Sequence, residues 1–186
     1  RILSKIGWIY WKTGDLNTSL NYYNRASELV ESIGDKQGIS SIFYYKGNIC
    51  WVKGNYNKAL DYYDSALKIV LEIGDKIGIE SIFLCKGIVY WGKGDYDKAL
   101  EYYNRSLKIN EELESKVSIG FALNNIGMVY SHLGEIDKSF EYAKRALQIS
   151  IDENHKYLMA LPLIALGKYY RIKGDYEKAI EVLVKS

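Results

Sequence analysis

Glycine recurs in this chain as Gly7, Gly47, Gly87, Gly127 and Gly167, a spacing of 40 residues without slippage. A second series stands seven residues further on, at Gly14, Gly54, Gly94, Gly134 and Gly174. After each of these comes Asp15, Asn55, Asp95, Glu135 or Asp175. Asp and Asn are good helix N-caps and the preceding Gly suits a helix C-cap, so each pair predicts a tight turn between two helices. A second turn signal reads "ESIGDK" at 31–36 and "LEIGDK" at 71–76, and degrades to "EELESK" at 111–116 and "SIDENHK" at 150–156. Between these marks the apolar residues fall at helical spacing. Ala59, Leu60, Tyr63, Ala66, Leu67 and Val70 make one face of a helix, and no segment alternates like a strand. A period of this length means that each unit buries its apolar face only against its neighbours, which predicts an all-α solenoid of five two-helix units.

Composition narrows the function. The chain has 186 residues and a formal net charge of +2, too weak a basic balance for a dedicated nucleic-acid binder. No apolar run approaches the ~18 residues of a membrane-spanning helix. The opening "RILSKIGWIYWKTGD" is patterned like the later units, so it reads as part of the array rather than as a signal peptide. Cys50 and Cys85 replace residues inside the helical pattern and read as reduced, largely buried thiols, with a disulfide as the alternative. The expected compartment is the cytoplasm.

Gly87, Tyr90, Gly94, Tyr96, Ala99, Tyr103 and the small Ser106 resemble the tetratricopeptide repeat signature, and the resemblance covers essentially the whole chain. It implies a right-handed superhelical solenoid of five helix-turn-helix repeats, at approximately 1–34, 35–74, 75–114, 115–154 and 155–186. The usual repeat is about 34 residues, so 40 implies longer helices. Arrays of that longer kind occur in polarity scaffolds that regulate G proteins, in bacterial regulators that sense signalling peptides and in prokaryotic signalling proteins. "ALNNIGMVYSHLGE" at 122–135 is similar to the scaffold type. Two positions depart from the pattern. Lys46 and Lys86 stand where the family has Leu, and read as lysines that snorkel beside a carboxylate. Pro162 falls where the other units are already helical, so the fifth unit's first helix is expected to start late or kink.

In tetratricopeptide proteins the first helices line a concave ligand-facing surface. Carried over unit by unit, the resemblance implies a groove whose main members are Trp8, Trp11 and Lys12, then Tyr44, Asn48 and Trp51, then Leu84, Ile88 and Trp91, with Asn124, Met128, Lys168 and Arg171. All four tryptophans are in this set. Either their rings fill gaps between neighbouring first helices, or they form an aromatic ladder for a peptide, as binding hot spots favour Trp. The set contains no acid and is basic toward its ends. The expected partner is therefore a protein or peptide segment with an apolar centre and acidic flanks. The alternatives are single-stranded RNA stacked on the Trp ladder, or a structural, self-associating spacer.

Catalytic and cofactor chemistry is not expected. "GIVYWGKG" at 87–94 has Gly94 where a phosphate loop needs Ser or Thr, and lies on a helix. His132 and His155 have no Cys, Asp or Glu at metal-ligand spacing, and no nucleophile elbow occurs. The residues of the carboxylate clamp in chaperone-binding relatives do not coincide here. Both ends enter the pattern partway through a helix, which is read as a segment of a longer protein. Ile2, Ile6 and Ile9 at one end, with Ile180, Leu183 and Val184 at the other, are expected to drive weak end-to-end association.

Overall fold

The computed structural model describes residues 2–184, which form ten α-helices. They are α1 (Ile2–Lys12), α2 (Leu16–Ser32), α3 (Lys36–Val52), α4 (Tyr56–Ile73), α5 (Lys76–Gly92), α6 (Tyr96–Glu112), α7 (Lys116–His132), α8 (Ile136–Asp152), α9 (Lys156–Ile172) and α10 (Tyr176–Val184). The starts of α3, α5, α7 and α9 are 40 residues apart, so the glycine period is also the helix period. The fold is all-α and, among the described residues, no helix is long and apolar enough to cross a membrane.

The turns obey the local chemistry read from the sequence. Gly54, at φ +74°, follows α3, and its N–H donates to the Trp51 carbonyl while that of Asn55 donates to Cys50. This is the Schellman arrangement, which satisfies carbonyls that a helix end leaves bare. Asp15, Asp35, Asp75 and Asp95 then accept a backbone N–H three residues on, capping α2, α3, α5 and α6. Asn55 and Glu135 make no such bond, and α9 is capped instead by His155 Nδ1.

The chain divides between Lys93 and Gly94 into two compact units. In the first, α3 and α4 pack around Cys50, Ala59, Tyr63, Ala66, Val70, Ile82 and Val89, with a second cluster of Tyr23, Ala26, Val30, Ile42 and Ile49. On the α4 face Ala59, Tyr63, Ala66 and Val70 are buried, while Leu60 and Leu67 are partly so. Gly47 is required here, because a Cβ would stand 2.5 Å from the Tyr63 ring. Lysines pin successive pairs together: Lys53 Nζ donates to Asn17 at 2.6 Å and Lys93 Nζ to Asn57 at 2.7 Å. In the second unit Ala99, Tyr103, Leu123, Ile126, Val129, Ala143, Ala146 and Leu158 are buried, and Lys173 pairs with Asp137 at 3.0 Å.

The two unusual lysines are both buried. Lys86 ends on the exposed carboxylate of Asp64, as a snorkelling chain should. Around Lys46 loss of hydration holds the amine below its ordinary pKa, with Glu31 opposing the shift. Pro162 does not delay its helix. α9 begins at Lys156 in the register of α7, and Pro162 is buried inside it. A proline cannot donate to the carbonyl four residues back, here that of Leu158. The Asn124 Nδ2 of α7 donates to that carbonyl at 3.4 Å, so the neighbouring helix supplies the missing bond.

Candidate functional site

In the first unit α1, α3 and α5 each contribute to a cavity of about 170 Å³ lined by Trp11, Asn48, Trp51, Tyr63, Cys85 and Ile88. Four of these are residues that the sequence placed in the groove. Asn48 and Trp51, three residues apart, share one face of α3, and Ile88 and Trp11 are their counterparts 40 residues on and back, on α5 and α1. Tyr63 and Cys85 join them from α4 and the next face of α5. The lining is mainly apolar, with a small polar patch at Asn48. Tyr63 Oη donates to Asn48 Oδ1 at 2.6 Å, and the Cys85 thiol lies 3.7 Å from both that oxygen and Tyr44 Oη. Burial pushes the Cys85 thiol up to about 11 and raises the Tyr44 and Tyr63 hydroxyls as well. All three groups are therefore neutral at pH 7. The lining is aromatic and apolar apart from the Asn48 patch, and nothing in it is an activated nucleophile.

Trp8 sits apart from that cavity. With Ser4, Lys5, Ile9 and Tyr45 it lines a wider depression of about 470 Å³. Lys12 bridges the two, its Nζ 5.4 Å from the Trp8 ring centroid and 5.7 Å from that of Trp11. Leu84 and Trp91 are half-buried on α5. A third cavity, of about 180 Å³, lies toward the N-terminal halves of α3 and α5, with Gln37, Ser41, Tyr44, Asp75 and Ser81 in its wall.

In the second unit the expected residues divide differently. Met128 is half-buried and Arg171 exposed. Lys168 Nζ donates to Ser131 Oγ at 2.7 Å, which ties α9 to α7. Asn124 is only 5% exposed, and its amide is committed to Leu158. It serves the packing of α7 on α9 and is not part of an open surface. Among the described residues no group of His, Cys, Asp and Glu could hold a metal ion.

One tetratricopeptide repeat family model matches residues 38–112 and 118–186, and a second matches 4–70. The chain belongs to the tetratricopeptide repeat family. Among curated proteins none matches this repeat chain in sequence. Solved structures do. BtubC (BKLC) from P. vanneervenii shares 21% identity and a TM-score of 0.87, over 98% of this chain and 76% of that one. A Rap protein complexed with Competence and Sporulation Factor shares 19% identity and a TM-score of 0.80, over 97% of this chain and half of its own length. YrrB, described as a TPR protein with an unusual peptide-binding site, shares 23% identity and a TM-score of 0.60, over 98% of this chain and 82% of that one. At these identities the likeness is one of fold.

Ser41, Tyr44 and Ser81 lie on the ligand-facing stripe of the repeat, but sequence reasoning missed Tyr63, Cys85, Gln37 and Asp75. Tyr63 reads from the pattern as core, which it is, at 1% exposure, yet its hydroxyl reaches the cavity floor. The second-turn Asp75 reads as a helix cap, which it also is. Neither double role carries a sequence signal of its own.

Proposed function

We propose that this chain is a protein-interaction scaffold whose first unit binds a peptide or helix segment of a partner at the α1–α3–α5 face. The observation that carries the reading is the cavity bounded by Trp11, Trp51 and Ile88 over the Asn48 amide. Its volume is that of a site for one aromatic or branched aliphatic side chain, since a cavity of about 150 Å³ takes benzene. Rigid indole walls give up little entropy on binding, and the Asn48 and Tyr63 floor can fix a backbone amide. Trp8, Tyr44 and Leu84 extend the contact surface, and Lys12 favours a carboxylate beyond the apolar residue. Trp91, on α5, completes the proposed set. The Rap protein complexed with Competence and Sporulation Factor, and YrrB with its peptide-binding site, lend support as proteins of the same fold.

A random peptide library displayed against the immobilised chain tests this. Enriched peptides should share an aromatic or Leu residue, quench or shift intrinsic Trp fluorescence, and lose about tenfold in affinity with Trp51→Ala or Trp11→Ala. Enriched peptides indifferent to both substitutions would displace the site from this face. A salt-dependent shift of single-stranded RNA, with no peptide enriched, would favour RNA over peptide.

A further inference from the structure

The cavity nearest the N-terminal halves of α3 and α5 has a chemistry opposite to that of the basic rim at Lys12. Its wall includes Gln37, Ser40, Ser41, Tyr44, Asp75 and Ser81 and, among the described residues, no lysine, arginine or histidine lines it. The serine hydroxyls and the Gln37 amide in that wall already donate elsewhere. Ser40 and Ser41 both donate their hydroxyls to the Gln37 carbonyl, at 3.0 and 2.8 Å. Ser81 donates to Glu80 at 3.4 Å, and Gln37 Nε2 donates to Asp75 Oδ2 at 2.9 Å. Their remaining lone pairs and the Asp75 carboxylate make the wall chiefly an acceptor, with the Tyr45 ring beside them. Asp75 also accepts the Gly78 N–H at 2.9 Å, but a carboxylate offers about four lone-pair sites, so it keeps capacity for a further donor. The Gln37 hydrogen bond, foremost, holds its carboxyl below the ordinary value, and it is charged at neutral pH. A wall of acceptors around one anion, backed by a tyrosine ring, suits a cationic donor.

Resting on the peptide-binding reading above, we infer that this cavity is a subsite for a Lys or Arg side chain of the same bound segment. Tyr44 lines this cavity, and its hydroxyl meets Cys85 of the aromatic one, so the two are neighbours along one face. Ser41 and Asn48, one from each cavity, are seven residues apart on α3, which is about 10 Å at 1.5 Å per residue. An extended peptide covers that distance in about three residues. The face then has a direction, with an apolar side chain between the Trp rings, an acid toward Lys12 and a base toward Asp75.

The test uses acetylated, amidated peptides on a Gly/Ser background, with Leu and, three residues to either side, Lys, norleucine or Glu. Affinity for the whole chain is read by fluorescence anisotropy at low and high salt. The Lys peptide should bind about tenfold more tightly than the norleucine peptide and the Glu peptide most weakly, with the gap closing at high salt. Asp75→Asn, which keeps a capping residue, should erase the preference. Ser81→Lys, which leaves the cap untouched, should invert it. N-acetyl-lysine amide alone should not compete, and competition at the peptide's own affinity would make this a small-cation site and overturn the inference. Equal binding of the three peptides, still weakened by Trp51→Ala, would overturn the basic subsite and leave the aromatic site standing. Failure of all three to bind, together with an empty library selection, would overturn both.

Discussion

Pro162 and Asn124 show how one residue's chemistry is settled by another helix. The ring of Pro162 leaves the Leu158 carbonyl without its helical donor, and Asn124, 34 residues earlier, donates from α7. The two positions should therefore be energetically coupled. Asn124→Ala is expected to cost about 1–2 kcal/mol in the natural chain, since it leaves a buried carbonyl unsatisfied. In a Pro162→Ala background the carbonyl regains its helical partner, and the same change should cost about half as much. Urea denaturation of the four proteins in the cycle measures the coupling. Strict additivity would show that the Asn124 amide is not the compensating donor.

At the scale of the element, two of the turns between helices are imperfect. Gly34 and Gly74 adopt φ of +68° and +70°, but the equivalent residues in the second unit are Glu114 at +53° and Asn154 at +50°. The left-handed region costs an ordinary side chain about 1–2 kcal/mol, and Asn less. Glu114→Gly should thus raise the urea midpoint by the equivalent of about 1 kcal/mol with an unchanged slope, and Asn154→Gly should do less. A lower midpoint for Glu114→Gly would contradict the assignment of strain. The aspartate caps make a second prediction, in pH. Asp15, Asp75 and Asp175 are held below their ordinary values by hydrogen bonds, chiefly from Thr18, Gln37 and Lys178 respectively. Carboxyls depressed in the folded state contribute stability above their unfolded value of about 4, and that contribution is lost as pH falls through the folded value. Helicity followed by circular dichroism should accordingly give way on acidification below about pH 4, and the loss should be shallower for Asp75→Asn. An acid transition unchanged by that substitution would remove Asp75 from the linkage.

At the scale of the whole molecule, stability in a repeat protein is distributed as contacts between neighbouring helices. In the first unit the fully buried Ile42, Ile49, Ala59 and Tyr63 lie on α3 and α4, and in the second Leu123, Ile126, Val129 and Ala146 lie on α7 and α8. By contrast, Gly7 is the buried residue of α1 and Ala179 that of α10. Native-state hydrogen exchange should therefore be slowest in α3–α4 and α7–α8 and fastest in α1 and α10. Uniform protection across the ten helices would instead mark a single cooperative block.

The sequence by itself determined where the helices lie and how they are separated. Gly54 followed by Asn55, or Gly74 followed by Asp75, acts through backbone dihedrals and capping bonds that span a few residues, so their meaning is complete within a short window. The same 40-residue period put Trp11, Asn48, Trp51 and Ile88 on equivalent faces, and these four line one cavity. Tertiary structure alone decided what each side chain does once it gets there. It turned Asn124 from an expected groove residue into the donor for Leu158, and kept α9 in register through Pro162. It brought Tyr44, Asn48, Tyr63 and Cys85 to one floor and set Gln37 against Asp75 at a separation of 38 residues. Periodicity assigns a residue to a face, but its partner is set by how deeply neighbouring helices interlock. That depends on packing between side chains remote in sequence, which no local pattern encodes.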